Sequence, residues 1–105
     1  MISLDKISLD LNSKCLWIES RQVSITKSEF FLIKILLENP EKILSRKQVL
    51  SAMNLDWGPG SDHILNLHCS RLRIKLRNSN AGEYLFSTAG FGLSMRDPKH
   101  FKKRS

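Results

Sequence analysis

The segment from Asp62 to Arg77, DHILNLHCSRLRIKLR, leaves this chain few ways to fold. Wound as a helix at about 100° per residue, it gathers Leu65, His68, Cys69, Leu72 and Leu76 on one arc. That arc is a stripe the rest of the chain must cover. The opposite arc collects His63, Leu67, Ser70, Arg71 and Ile74. Asn66, Arg73 and Arg77 lie on one flank of it and Lys75 on the other. The helix therefore forms an outer layer, cationic outside and apolar inside. Asp62 or Ser61 is placed to cap it, and it is expected to end near Asn78. The segment STAGFGL follows at Ser87–Leu93, and its two glycines read as a tight hairpin. Glu83–Ser87 and Leu93–Arg96 are the expected arms, after a turn at Asn78–Gly82.

What covers the stripe is legible upstream. Residues 2–25 are short apolar runs broken by polar pairs, with alternation at Ile7, Leu9 and Leu11. They predict a meander of small strands, with turns at Asn12-Ser13 and Glu19–Gln22. Such strands are too short to stand alone. Thr26-Lys-Ser-Glu29 is a capping box, and the FFLIKILL that follows is apolar nearly all round, which predicts a buried central helix. Asn39-Pro40 closes it, because a residue before proline is pushed out of the α region. A second capping box, Ser45-Arg-Lys-Gln48, opens a short helix with Val49, Leu50 and Met53 on its buried side. Gly58-Pro59-Gly60 keeps Asn54–Ser61 a loop. The pattern predicts one α+β domain over residues 1–98, with a basic tail at residues 99–105.

Charge is distributed unevenly along this plan. Residues 1–61 carry eight Lys/Arg against seven Asp/Glu, whereas residues 62–105 carry nine against three. Almost all of the net +7 thus sits in the second part, and the isoelectric point is near 9.8. Such a balance points to a polyanionic partner: DNA, RNA or an anionic membrane surface. No apolar run reaches the roughly 18 residues of a membrane span, and the first ten residues do not read as a signal peptide. Cys15 and Cys69 show no metal-ligand spacing and are expected to be reduced thiols of a cytoplasmic protein.

The outer face of the 62–78 helix narrows the partner. Arg71, Arg73, Lys75 and Arg77 spread around it, so both walls of a groove could meet neutralising charge. Leu67 and Ile74 are apolar where a merely solvated face would be polar, and apolar side chains can contact thymine methyls in a major groove. These features predict double-stranded DNA binding. The alternative is a protein-interaction module, or a non-specific nucleic-acid binder, that retains a basic helix. Catalysis is not expected. His63 and His68 fall on opposite faces, Cys69 points inward, and GPG and GFG lack the Lys-Ser/Thr of a phosphate loop. No cofactor, metal or small-molecule substrate is called for, and no membrane partner.

The same residues resemble a known family. SITKSEFFLIKILLENPEKILSRKQVL is similar to its LTxxEFxLLxxLxxNPxxxxSRxQLL pattern, and LNLHCSRLRIKL to its VxxHxxRLRxKL pattern. The family is the OmpR/PhoB group, the winged-helix effector domains of bacterial two-component response regulators. The resemblance covers residues 1 to about 96. It implies a winged helix-turn-helix: an N-terminal antiparallel sheet, three helices and a C-terminal β-hairpin wing. Residues 62–78 would be the recognition helix in the major groove, and residues 84–96 the wing near the minor groove. Arg71 matches a position that reaches base edges or groove backbone, Arg73 a phosphate contact and Leu67 an apolar base contact. His63, Asn66, Ser70, Ile74, Lys75 and Arg77 complete the helix set, and Ser87, Thr88, Ala89 and Gly90 the wing set. Asp56, Trp57 and Gly58 fall in the loop that touches RNA polymerase in activators. The resemblance further implies direct-repeat sites, a homodimer of the full-length protein and a receiver domain ahead of this one.

The chain departs from the family in two places. The family wing commonly reads TVRGxGY, where this one has Ala89 for the arginine, Leu93 for the tyrosine and Phe91 between the glycines. Asn54 replaces a tryptophan before the loop, with Trp57 three residues on. The basic helix is therefore expected to carry more of the binding than the wing.

Overall fold

The computed structural model describes residues 1–88 and 90–98. Ala89 and the basic tail at 99–105 lie outside the described residues. Four short strands open the chain: β1 (Ile2–Leu4), β2 (Ile7–Asp10), β3 (Cys15–Ile18) and β4 (Arg21–Val23), an antiparallel sheet in sequence order. Ile7 pairs with Ile18 and Leu9 with Leu16, so strand alternation puts four buried side chains on one face. Asp5, Lys14 and Glu19 take positive φ at the three reversals. At the second, the Asp10 carboxylate accepts from the Asn12 and Ser13 amides at 3.0 and 3.3 Å. Those two bonds hold its carboxyl below the ordinary aspartate range. The third reversal is tighter than the sequence predicts: Arg21 and Gln22 already belong to β4.

Both capping boxes form as read. Helix α1 (Lys27–Glu38) begins where the Thr26 hydroxyl accepts from the Glu29 amide at 3.2 Å and the Thr26 amide donates to Glu29 Oε1 at 2.8 Å. It buries Phe30, Leu32, Ile33, Leu36 and Leu37 beneath the sheet face, and the chain leaves it at Asn39. Helix α2 (Arg46–Ala52) begins with the equivalent pair between Ser45 and Gln48. Val49, Leu50 and Met53 are its buried side.

Helix α3 (Ser61–Asn78) corrects one expectation. Neither Asp62 nor Ser61 caps it; the cap position is Gly60, at φ +82°, with no side-chain cap. The Ser61 hydroxyl instead accepts from the Gly58 amide at 2.6 Å and donates to the Asp56 carbonyl at 3.0 Å. The loop's own backbone takes the oxygen a cap would need. Leu65, Cys69, Leu72 and Leu76 are all buried, as the stripe requires, while His68 is half-buried at its edge. Burial pushes the Cys69 thiol up, against the pull of Arg73 and Arg46.

The expected first hairpin arm is partly helical. Gly82–Tyr84 is a short 3-10 turn, and the arms are β5 (Leu85–Thr88) and β6 (Gly92–Met95). The Tyr84 hydroxyl donates to the Asp5 carboxylate, which ties this turn to the β1–β2 reversal. Burial first, then that carboxylate, keeps the phenol protonated far above its usual range. Leu93 exchanges two backbone hydrogen bonds with Leu44, at 2.8 and 2.9 Å, and the Glu41 amide donates to Met95 at 2.9 Å. The wing is thus paired to the segment that enters α2. The architecture is α+β, a winged helix-turn-helix with an antiparallel sheet on its N-terminal side.

Candidate nucleic-acid interface

The side of α3 opposite its stripe faces solvent. His63, Asn66, Leu67, Ser70, Arg71, Ile74 and Arg77 are exposed, and Arg73 is half-buried. Leu67 is 42% exposed and Ile74 50%, so the two apolar residues are uncovered. Ile64, absent from the sequence-derived set, is also exposed on this helix. The exposed Ile64 and Leu67 are three apart, one turn along the helix, and Ile74 is seven beyond Leu67. Beside this apolar strip stand the Arg71, Arg73 and Arg77 guanidiniums, which are acceptor-seeking, permanently charged groups suited to phosphate or guanine.

Lys75 differs from its neighbours. Its Nζ lies 2.6 Å from Glu29 Oε1, and the Glu29 side chain is 1% exposed. One carboxylate therefore caps α1 and anchors α3, and Oε2 has no hydrogen-bond partner among the described residues. The ammonium is drawn toward the α1 junction, away from the arc formed by Arg71 and Ile74.

Three hydrogen bonds from Arg46 hold α3 against α2, and the sequence pattern announces none of them. Arg46 Nε donates to Asp62 Oδ1 at 2.6 Å, and Arg46 Nη2 donates to the Asp62 carbonyl at 3.2 Å and to Asn66 Oδ1 at 2.5 Å. The only trace of this in the sequence is an arginine directly after the Ser45 cap. Nothing in its spacing announces partners on another helix.

In the wing, Ser87 and Gly90 are exposed and Thr88 is half-buried; Ala89 lies outside the described residues. Phe91, at the tip, is 71% exposed. In the α2–α3 loop Trp57 is half exposed, and Asp56 and Gly58 are fastened to Ser61 through their backbone. Among the described residues no three His, Cys, Asp or Glu side chains come together as a metal set. No helix there is long and apolar enough to cross a membrane.

Comparison with known proteins agrees with this geometry. A family described as "Transcriptional regulatory protein, C terminal" matches residues 20–95. The response regulator MprA of Mycobacterium sp. (strain KMS) is 32% identical over 81 residues, which cover 74% of this chain and 34% of that protein. The sensory transduction protein BceR of Bacillus subtilis is 33% identical over 79 residues, covering 75% and 34%. This chain therefore spans about a third of the length of the relatives it matches. Among solved structures, the DNA-binding domain of the response regulator AdeR, in complex with an intercistronic region, superimposes with a TM-score of 0.83. It has 20% identity and covers 93% of this chain and 100% of that one. The chain belongs to the OmpR/PhoB-type C-terminal domain family of transcriptional regulatory proteins.

Proposed function

We propose that this domain recognises a specific double-stranded DNA sequence as the effector part of a response regulator. In this reading α3 enters the major groove and the wing lies near the minor groove. The observation that carries it is the uncovered outer side of α3, where Leu67 and Ile74 sit among Arg71, Arg73 and Arg77. A merely solvated face has no use for two exposed aliphatics, and an apolar docking face has none for three guanidiniums. A major groove rewards both. His63, Asn66 and Ser70 supply further polar contacts, and Ser87, Thr88, Ala89 and Gly90 the approach of the wing. Lys75 belongs to the α1–α3 junction and contributes only long-range field. Asp56, Trp57 and Gly58 offer a surface to RNA polymerase, with Trp57 its exposed centre. The full-length regulator is read as a cytoplasmic homodimer on direct repeats, acting by binding and carrying no catalysis or cofactor.

Binding to a duplex selected from a random library, followed across salt concentrations, tests this. Affinity should fall with salt at a log–log slope of about −0.9 per neutralised phosphate, and preference for the selected sequence should persist. Arg71→Ala should cost more on the selected site than on random duplex. Arg73→Ala or Arg77→Ala should weaken both alike and flatten the slope by about one. Equal, salt-insensitive binding to every duplex would refute the reading and favour a protein-interaction module.

A further inference from the structure

Arg46 does more than join α2 to α3. Its guanidinium has five N–H donors and no acceptor, so the Asn66 amide atom 2.5 Å from Nη2 must be the oxygen. The usual freedom of an asparagine to present either end is removed. Asp62 fixes the guanidinium in turn, through Nε at 2.6 Å and through its own carbonyl at 3.2 Å. Asn66 Nδ2 takes no partner among the described residues, and Asn66 is exposed beside Leu67 and Ser70.

We propose that Arg46 is a positioning residue for base recognition, and that it makes Asn66 a donor-only reader of guanine. This rests on the proposed placement of α3 in a major groove. An unconstrained asparagine favours adenine, donating to N7 while accepting from the N6 amine. Here the accepting oxygen is already held by a cation, and a second donor would have to come in against the guanidinium. Guanine presents two acceptors, N7 and O6, and asks only for the two protons that Nδ2 has free. Cytosine, which offers a donor at N4, is the least compatible partner.

Sites are selected from a random duplex library with the unaltered domain, Arg46→Ala, Asn66→Asp and Asn66→Ala, each first checked for a cooperative thermal transition. The unaltered domain should prefer guanine at one position of the half-site, by roughly 5- to 100-fold over adenine. Asn66→Asp keeps an acceptor for Arg46 but has no N–H to offer, so it should fold normally and lose the guanine preference, while its added negative charge weakens binding to every duplex alike. Asn66→Ala should lose it too. Arg46→Ala should admit adenine at the same position while leaving other positions and random-duplex affinity unchanged. The proposal is overturned if the position selects adenine or cytosine, or if Asn66→Asp changes no preference. It is also overturned if Arg46→Ala weakens all duplexes equally and flattens the salt slope, which would make Arg46 a phosphate contact. Absence of any selected sequence with the unaltered domain would instead defeat the underlying DNA reading.

Discussion

Gly92 shows how much one residue can decide. Its φ is +144°, and a Cβ built on it would stand 1.9 Å from the Leu44 carbonyl oxygen and 2.7 Å from the carbonyl carbon. Both obstacles are backbone, so they cannot rotate away. Gly90, at φ +80°, has nothing within 4 Å of its Cβ position among the described residues beyond its chain neighbours, and carries a conformational requirement only. The two wing glycines look alike in sequence but should respond differently to alanine. Gly92→Ala must part the wing from Leu44, with loss of bonds at 2.8 and 2.9 Å, and is expected to cost roughly 2–4 kcal/mol in urea unfolding. Gly90→Ala should cost about 1–2 kcal/mol, the left-handed strain alone. Equal losses would mean that the contact with Leu44 is not what requires glycine.

At the scale of elements, the junction between α1 and α3 is held by Glu29 and Lys75. Replacing Lys75 by methionine leaves a carboxylate at 1% exposure with only the Thr26 amide on it among the described residues. Breaking a buried pair costs about 3–5 kcal/mol, and Lys75, at 31% exposure, brings that down to about 1–3 kcal/mol. Lys75→Met should therefore lower stability in chemical denaturation while leaving the salt slope of DNA binding as it was. A slope flattened by one would return Lys75 to the phosphate contacts. The pair also marks where sequence reading stops. The Thr26 and Ser45 boxes and the Leu65–Cys69–Leu72–Leu76 stripe were legible because their partners lie three or four residues away, at a fixed helical pitch. Arg46 with Asp62 and Asn66, Lys75 with Glu29, and Leu44 with Leu93 join residues that no period relates. Lys75 consequently read as one more cation on a basic helix. The start of α3 failed for another reason: Ser61 had two possible uses, and the loop's geometry, which the letters do not show, chose between them.

For the molecule as a whole, the two cysteines serve as internal reporters. Cys15 is partly exposed at the sheet, whereas Cys69 is buried at the centre of the α3 stripe with its thiol pushed up by burial. A thiol reagent at neutral pH should label Cys15 within the native state and Cys69 only when the core opens. Mass spectrometry of a labelling time course should show one fast and one slow adduct. Two equally fast adducts would mean that α3 is loosely packed. Because burial raises the Cys69 thiol in the folded state, an unfolded chain deprotonates there first, and alkali above the ordinary thiol range erodes stability. The pairing of Leu44 with Leu93 has a consequence for the order in which this domain can be made. On a ribosome, α1 and α2 emerge long before the wing does. The peptide groups of Leu44 must therefore stay hydrated until the last strand arrives to claim them. A chain interrupted before Leu93 would carry its reading helix complete, yet lack the clasp at the entrance to α2.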